Sequence, residues 1–332
     1  MNSVYPLPSV AGPEINASSD RRAMGYPEHY AGTTLETVER AAEALRALPR
    51  ERLAGLVGDG GASLHERFAA GQLLALAGDP RLDPFAPVML EARGGRFQAG
   101  LEAARVDAVM NRFADTGILR AWIEKETPRF ETVLAPFRIA KFAVTNGEYL
   151  AFLKDSGFAE IPSSWSFGRF PLERSNHPVY TVSPAAADAY AAWLSDKTGR
   201  AFRLPRETEW EYAACGGEDR EFPWGEAFEP GRANTIESGL LTTTPVGLFP
   251  AGNSPLGACD MAGNVEEYCA DDYAPYPGAA AVEDDLARAC GAYRVARGGS
   301  FTRYRDLARC RRRHGWYPRA LYAMGFRLAE GA

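Results

Sequence analysis

Lysine and histidine are scarce in this sequence, and no charge of one sign dominates it. Only four of the 37 basic Lys and Arg residues are lysines, so arginine-rich stretches reflect the general composition and do not by themselves indicate a binding site. The net charge of -6 over 332 residues gives no general attraction to nucleic acid or to an anionic membrane surface. Neither is therefore expected as a partner.

Paired cysteines and long apolar runs are also missing. None of the five cysteines stands in a C-x-x-C pair, and they are widely spaced: Cys215, Cys259, Cys269, Cys290 and Cys310. This pattern argues against a zinc cluster and against a disulfide scaffold. The N-terminus has no basic start followed by an apolar stretch, and no run approaches the roughly 18 apolar residues of a membrane helix. We expect a cytoplasmic protein.

The first two regions of the chain differ in amino-acid composition and in the secondary structure that they predict. Residues 1–30 are rich in Pro, Ser, Asn and Gly and predict an extended arm. Residues 31–85 predict two amphipathic helices, with capping-box spacing at Thr33 and Glu36 and again at Ser63 and Glu66. The pair resembles one HEAT-type unit, which is too short for a solenoid. We expect it to pack on the main domain or to form a surface for a partner, including a second copy of the chain.

Residues 86–330 change to short strands, aromatic residues and many Gly and Pro turns. The segment 137–157 predicts a strand followed by a helix. A second helix should begin after Ser183 and end before Gly199, and a third, short helix is expected within 205–217. This mixture predicts an irregular α+β domain, whose long loops need something to fasten them.

Nine segments of this region occur in the order typical of one known superfamily. They are "GGRFQAG", "FRIAKFAVTNGEYLAFL", "HPVYTVS", "FRLPRETEWEYAA", "FPWG", "TTPVG", "DMAGNVEEY", "RGGSF" and "GFRLA", spread over roughly residues 87–329. On these motifs the chain resembles the formylglycine-generating enzyme (sulfatase-modifying factor) superfamily. The resemblance implies a compact, irregular α+β domain related to C-type lectins.

That superfamily is functionally mixed, so the fold alone does not settle the function. Some members oxidise a substrate cysteine to formylglycine with copper held by two cysteines. Others are sulfoxide synthases with non-haem iron, one helps to mature the pyoverdine chromophore, and others only bind protein or ligand.

The metal-binding positions of both enzyme branches are changed here. The copper cysteines fall on Arg303 and Ala308, and a guanidinium cannot ligate copper. The iron branch needs histidines spaced H-x-x-x-H-x-E in its helical region, where this chain has only His29 and His65. Formylglycine generation is therefore not expected, and no ligand motif supports catalytic iron or copper.

Two substitutions fall in the cavity that the resemblance implies. The pocket tryptophan of the family is Glu266 here, and a pocket cysteine is Arg303. One interpretation is a polar pocket for a small charged substrate, with Glu266 as acid or base. The alternative is a salt bridge that fills a vacated pocket. Ser300, Tyr304 and His314 complete the candidate catalytic set.

The stretch after this position is rich in arginine. If it formed a strand, alternation would direct Arg311 and Arg313 to one face, where they could bind a carboxylate or phosphate. Trp316 could stack on a substrate ring, and Cys310 could lie beside it. Alternatively, the arginines brace loops, and Cys310 is a small buried apolar residue.

The motif "DMAGNVEEY" matches a calcium loop of the superfamily. By position, Asp260 and Glu267 would provide side-chain oxygens, and Gly263 and Val265 would provide carbonyls. Such hard oxygen ligands suit a structural calcium ion. Taken together, these features predict a tailoring enzyme for a small molecule in a biosynthetic pathway, an oxidoreductase dependent on oxygen or a non-haem metal. The alternative is a non-catalytic module that binds a ligand or a protein.

Overall fold

A computed structural model describes residues 12–331 of the chain, apart from residues 33, 34 and 36. The predicted capping box at Thr33 and Glu36 lies outside the described residues. Within the described part, no helix is both long and apolar enough to cross a membrane.

The N-terminal regions contain more helix than the sequence analysis predicted. Within residues 12–30, a 3-10 turn at Gly12–Asn16 and the short helix α1, Asp20–Ala23, stand where an extended arm was predicted, because Ser19 caps α1 and Ala23 is buried against the domain. Residues 1–11 of the predicted arm lie outside the described residues. Three further helices follow instead of a pair: α2, Val38–Leu45; α3, Arg50–Val57; and α4, Leu64–Ala77. Pro49 directly precedes the first turn of α3, where its missing N–H costs nothing.

The main domain alternates short strands with helices. In chain order it contains β1, Met89–Ala92; β2, Gly95–Ala99; α5, Val106–Arg112; α6, Arg120–Glu124; β3, Phe130–Leu134; β4, Phe137–Ala140; α7, Asn146–Ser156; α8, Pro184–Thr198; β5, Phe202–Arg203; α9, Glu207–Cys215; β6, Glu266–Asp272; α10, Asp285–Cys290; β7, Arg294–Arg297; β8, Met324–Phe326; and β9, Ala329–Gly331.

The described strands form three small sheets. The largest has the antiparallel order β1-β4-β9-β5, and β2 pairs with β3 in a two-stranded antiparallel sheet. In the third sheet, β6 lies between antiparallel β7 and parallel β8. The α+β class that the sequence predicts is confirmed.

The predicted helices of this domain are present. Helix α7 follows β4 and begins with a capping box at Thr145. Ser183 caps α8 by accepting a hydrogen bond from the Ala186 N–H, and Gly199 ends it in the left-handed conformation. The short helix expected within 205–217 is α9.

The N-terminal helices pack on the domain, as expected. Their apolar residues share one core with Leu240, Leu248 and Phe249. The Asn176 side-chain amide donates to the Gly71 carbonyl of α4 over 2.9 Å. Helix α4 packs closely against Pro245 at this point: a Cβ atom on Gly71 would lie 2.4 Å from the Pro245 side chain.

The third sheet brings together the two stretches that contain the candidate site. Glu266 is the first residue of β6. Strand β7, Arg294–Arg297, pairs with β6 and precedes the arginine-rich stretch. That stretch is a series of turns from Arg305 to Arg311, and not the strand considered above. Backbone pairing resumes at His314, which pairs with Ala296 in an isolated antiparallel bridge.

A pair of glycine substitutions tests the docking of α4. Gly71→Ala should lower the free energy of unfolding by about 1–3 kcal/mol, because the new methyl group overpacks against Pro245. Gly55→Ala in α3, where a Cβ meets nothing within 4 Å, should raise it by about 0.5–1 kcal/mol through helix propensity. Urea unfolding measures both changes. Equal effects of the two substitutions would contradict the close packing of α4.

Candidate functional site

A buried histidine lies between the two residues that sequence analysis placed in one cavity. The Nδ1 atom of His314 lies 2.5 Å from Glu266 Oε2, and its Nε2 atom lies 3.2 Å from Arg303 Nη2. Glu266 is fully buried, while His314 and Arg303 are 6% and 7% exposed. Glu266 and Arg303 therefore meet through the imidazole ring and not in a direct salt bridge.

The hydrogen-bond donors fix the tautomer of this ring. A guanidinium only donates, so Arg303 requires a lone pair on Nε2 of His314. A neutral imidazole then carries its proton on Nδ1 and donates it to Glu266 Oε2. Glu266 Oε1 has no hydrogen-bond partner among the described residues. A titrating proton on this carboxyl group therefore resides on Oε1.

Burial shifts the pKa of both groups toward their neutral forms. Desolvation raises the pKa of Glu266 to about 8, against the opposing effect of Arg303. Desolvation, together with the positive charges of Arg303 and Arg312, lowers the pKa of His314 well below its usual value. At neutral pH the ring is uncharged, and the carboxyl group holds a proton that it loses near pH 8.

Aromatic stacking holds the ring and the guanidinium in place. The Tyr322 ring lies parallel to His314, with 5.3 Å between centroids and 13° between planes. The Arg303 guanidinium carbon lies 4.6 Å from the centroid of the same Tyr322 ring. Tyr322 therefore orients both His314 and Arg303.

A small cavity opens beside this group. Its volume is about 30 Å³, and Arg303, Tyr304 and His314 are among the residues that line it. The other lining residues are Ile15, Thr116, Gly117, Trp122, Thr302, Asp306, Leu307 and Arg312. Glu266 does not line this cavity and lies behind His314.

Two arginines predicted to bind substrate are occupied by structural contacts. Arg311 donates to the carbonyls of Gly100 and Arg220, each over 3.0 Å, and pairs with Asp219. Arg313 forms a bidentate pair with Glu207 at 2.7 and 2.8 Å. Neither arginine lines the cavity, and their donors brace loops, as in the alternative interpretation of this stretch.

The remaining predicted residues are also displaced from the cavity. Cys310 is fully buried in the apolar core, where burial raises the pKa of its thiol, so the alternative of a small apolar residue holds. Trp316 lines a separate groove of about 470 Å³. Ser300 lies beneath the site, with its hydroxyl 2.9 Å from that of Thr302, which lines the cavity.

The two carboxylates of the calcium prediction, Glu267 and Asp260, have protein partners in the structure. Both carboxylate oxygens of Glu267 accept hydrogen bonds from Arg327, at 2.5 and 2.6 Å, and one also accepts from Trp210. Arg327 donates further to the carbonyls of Ala140 and Cys259. A guanidinium thus satisfies the oxygens that were expected to hold a cation.

The backbone of this loop is also engaged. Asp260 Oδ2 accepts the Gly247 N–H over 2.7 Å, and Gly263 pairs with Asn234 in an isolated bridge. Val265 is buried with the core beside β8. The loop is fastened by these bonds and by the Glu267–Arg327 pair.

The described residues do not fit a catalytic copper or iron ion. Arg303 and Ala308 occupy the family's copper positions, and no cluster of three or more His, Cys, Asp or Glu side chains in the described part of the chain could hold a metal. We derive no chemical step through either metal.

Sequence reasoning missed several residues of the cavity. Arg312 and Asp306 both line it, and their side chains lie 3.9 Å apart. Both belong to the arginine-rich stretch, but the assumption of a strand there predicted that Arg311 and Arg313 would face the substrate. Trp122 and Ile15 come from distant segments, and no motif marked them.

Comparison with known proteins places the chain in a family. It belongs to the family described as the sulfatase-modifying factor enzyme 1-like domain, which matches residues 78–332. It is 31% identical over 245 residues to hercynine oxygenase of Mycolicibacterium thermoresistibile, covering 62% of this chain and 53% of that protein. It is 30% identical over 296 residues to the formylglycine-generating enzyme of Thermomonospora curvata, covering 69% of this chain and 90% of that protein.

Other similarities cover less or show mainly the fold. The serine/threonine-protein kinase pkn1 of Chlamydia caviae is 35% identical over 225 residues, and the match spans 62% of this chain but only 35% of that kinase. Among solved structures, PvdO from Pseudomonas aeruginosa superimposes with a TM-score of 0.56 and 29% identity, covering 75% of this chain and 95% of PvdO. Related chains thus include enzymes that are named for different activities.

The pKa shifts predict a pH dependence of stability that Glu266 controls. A carboxyl group with a raised folded pKa stabilises the fold fully below its unfolded pKa, and this contribution is lost as pH rises toward about 8. His314 opposes this trend only below about pH 6.5, where the unfolded histidine becomes protonated. Between pH 6.5 and 8, the wild-type free energy of unfolding should therefore fall by about 2 kcal/mol more than that of Glu266→Gln.

Urea unfolding at pH 6.5, 7.25 and 8 checks this difference. Glu173→Gln, at an exposed site, is the matched control and should follow the wild type. Parallel pH profiles for the wild type and Glu266→Gln would show that Glu266 is already ionised at pH 6.5.

Proposed function

We propose that this chain is a tailoring enzyme of the oxidoreductase type, which acts on a small anionic molecule in a cytoplasmic biosynthetic pathway. One observation carries the proposal: an uncharged histidine faces the cavity with a lone pair on Nε2, and a buried carboxyl group supports it from behind. This arrangement can accept a proton from a bound molecule.

His314 is the proposed catalytic base. When a substrate anion binds, Arg303 turns toward it and releases Nε2, which then takes a proton from the substrate. The imidazolium that forms keeps its Nδ1–H bond to Glu266. Ionised Glu266 stabilises this positive charge, so Glu266 acts as a positioning residue that also raises the basicity of the ring.

The oxidant proposed for the second half of the reaction is molecular oxygen. Loss of a C–H or N–H proton leaves an electron-rich anion. This anion passes two electrons to O₂ and loses a second proton, so the substrate gains a double bond. The two electrons and the two substrate protons, one of them carried by His314, convert O₂ to hydrogen peroxide. The relative named hercynine oxygenase supports an oxygen-linked role.

One observation favours the alternative, a binding module without turnover. The cavity of about 30 Å³ is far smaller than the roughly 300–1,000 Å³ of ordinary ligand sites, which leaves little room for a substrate and its oxidant together. A binding module needs to hold only one small group there.

Comparison of the wild type with Glu266→Gln tests the proposed reaction. Each protein is incubated aerobically with a low-molecular-weight metabolite extract, and mass spectrometry records metabolites that lose two hydrogens while an electrode follows oxygen. Gln preserves the hydrogen bond to Nδ1 but removes the charge, so the rate should fall by roughly 10²–10⁴. Wild-type kcat/KM should rise with pH to a plateau above about 8, and Glu266→Gln should lack this rise.

Glu173→Gln is the control and should retain wild-type rates. Ligand retention without any change of mass or oxygen uptake would support the binding module. Full activity in Glu266→Gln would exclude the proposed role of Glu266.

A further inference from the structure

Three hydrogen-bond donors point to a missing partner in the cavity. Arg303 Nη1, Arg312 Nε and the Tyr304 hydroxyl have no acceptor among the described residues, and all three residues line the same cavity. Each is at least nine-tenths buried, with exposures of 7%, 2% and 5%. Buried polar atoms in native proteins are nearly always paired, so unsatisfied donors indicate an acceptor that the protein chain does not provide.

The charges of the residues that line the cavity also indicate a ligand that accepts hydrogen bonds, and they indicate that it is an anion. Two lining residues, Arg303 and Arg312, are cations, and Asp306 is the only lining carboxylate. His314 adds no charge, because burial lowers its pKa. The lining is therefore electropositive, and a buried positive charge calls for an anion.

We propose that this cavity binds the carboxylate group of the substrate. The inference rests on the proposed function and specifies its substrate class. A carboxylate offers acceptors in one plane, which suits a guanidinium and a phenol. The cavity volume of about 30 Å³ suits a group of this size, whereas a phosphate has four oxygens and more charge.

Binding of acetate tests the site without any turnover. Acetate should raise the melting temperature of the wild type, and acetamide, its neutral isostere, should not. Tyr304→Phe removes only a hydroxyl that has no partner, so the free protein should fold at least as well as the wild type. Its dissociation constant for acetate should rise about 5–10-fold, while Tyr180→Phe, in a separate groove, should bind acetate as the wild type does.

The outcomes separate this inference from the proposed reaction. Equal effects of acetate and acetamide, or unchanged acetate binding by Tyr304→Phe, would overturn the carboxylate site even if the enzyme oxidises a metabolite. Selective acetate binding that weakens in Tyr304→Phe supports the site even if the activity assay fails.

A separate set of contacts concerns access to the cavity. Residues 12–26, here called the N-terminal cap, contribute Ile15 to the cavity lining. Arg319 fastens the cap by donating to the carbonyls of Ile15 and Ser18, at 2.5 and 2.8 Å, and by pairing with Asp20. The Tyr322 hydroxyl donates to Asn16 Oδ1 over 3.0 Å.

The cap joins the cavity wall through residues next to the candidate base. Arg319 and Tyr322 lie in the segment that follows His314, and Tyr322 stacks on its ring. Ile15 and His314 line the same cavity, whose volume of about 30 Å³ admits a group much larger than a carboxylate only if part of the lining moves. We infer that the N-terminal cap is a gate, held by Arg319, which must release before the remainder of a substrate enters.

Benzoate and acetate distinguish a gate from a fixed wall. Benzoate carries the same carboxylate on a bulkier group, so its binding should increase hydrogen exchange of the backbone amides of residues 17–24, whereas acetate should not. Arg319→Gln weakens the fastening and should tighten benzoate binding about tenfold, with acetate binding unchanged. Arg232→Gln, at a remote ion pair, is the control.

Benzoate binding to the wild type with no change in cap exchange would overturn the gate. Equal benzoate affinity of the wild type and Arg319→Gln would do the same.

Discussion

The arrangement around the site depends on one requirement, which is that His314 keeps its two hydrogen bonds inside a dry interior. Its Nδ1 atom is bonded to a fully buried carboxyl group and its Nε2 atom to a buried guanidinium. Neither the carboxyl group nor the guanidinium is solvated by bulk water, so each depends on the polar atoms of this ring. Tyr322 stacks on the ring and lies against the guanidinium. The strand order β7-β6-β8 makes this possible, because it places Glu266 beside the segment that ends in His314.

Arginine fastens the long loops of this domain. Arg309 pairs with Glu126 and Glu221, Arg313 with Glu207, and Arg327 with Glu267, all in the interior. Its planar fork of five donors can satisfy a carboxylate and several carbonyls at once, which a lysine cannot do. This explains how loops expected to need calcium are held in place. Arg303 and Arg312 differ from these bracing arginines, because each keeps a donor without an acceptor among the described residues.

Much of the fold was predictable because it rests on ordered local motifs. The strand–turn–helix at β4 and α7 and the cap of α8 follow from short-range turn and capping chemistry. The proximity of Glu266 and Arg303 followed from the superfamily resemblance. The histidine between them did not, because a chain of turns gives no period from which side-chain direction can be inferred. For the same reason Arg312 reaches the cavity while Arg311 and Arg313 do not.

Other features depend on residues far apart in the sequence. The pairing of Glu267 with Arg327 crosses 60 positions, so the motif that predicted calcium could not show that this carboxylate has a guanidinium partner. The N-terminal cap meets Arg319 some 300 positions away, through contacts to backbone carbonyls that no residue pattern records. Tertiary contacts of this kind override the local composition that suggested an extended arm.

The central claim is that His314 is an uncharged base, protonated on Nδ1 and accepting at Nε2. Nitrogen-15 NMR of the imidazole, assigned with a His314→Asn variant, tests this directly. The account predicts a neutral ring from pH 6 to 9 with the proton on Nδ1, and a shift change near pH 8 as Glu266 ionises, which Glu266→Gln abolishes. A ring protonated on both nitrogens at pH 7, or a neutral ring protonated on Nε2, would contradict it.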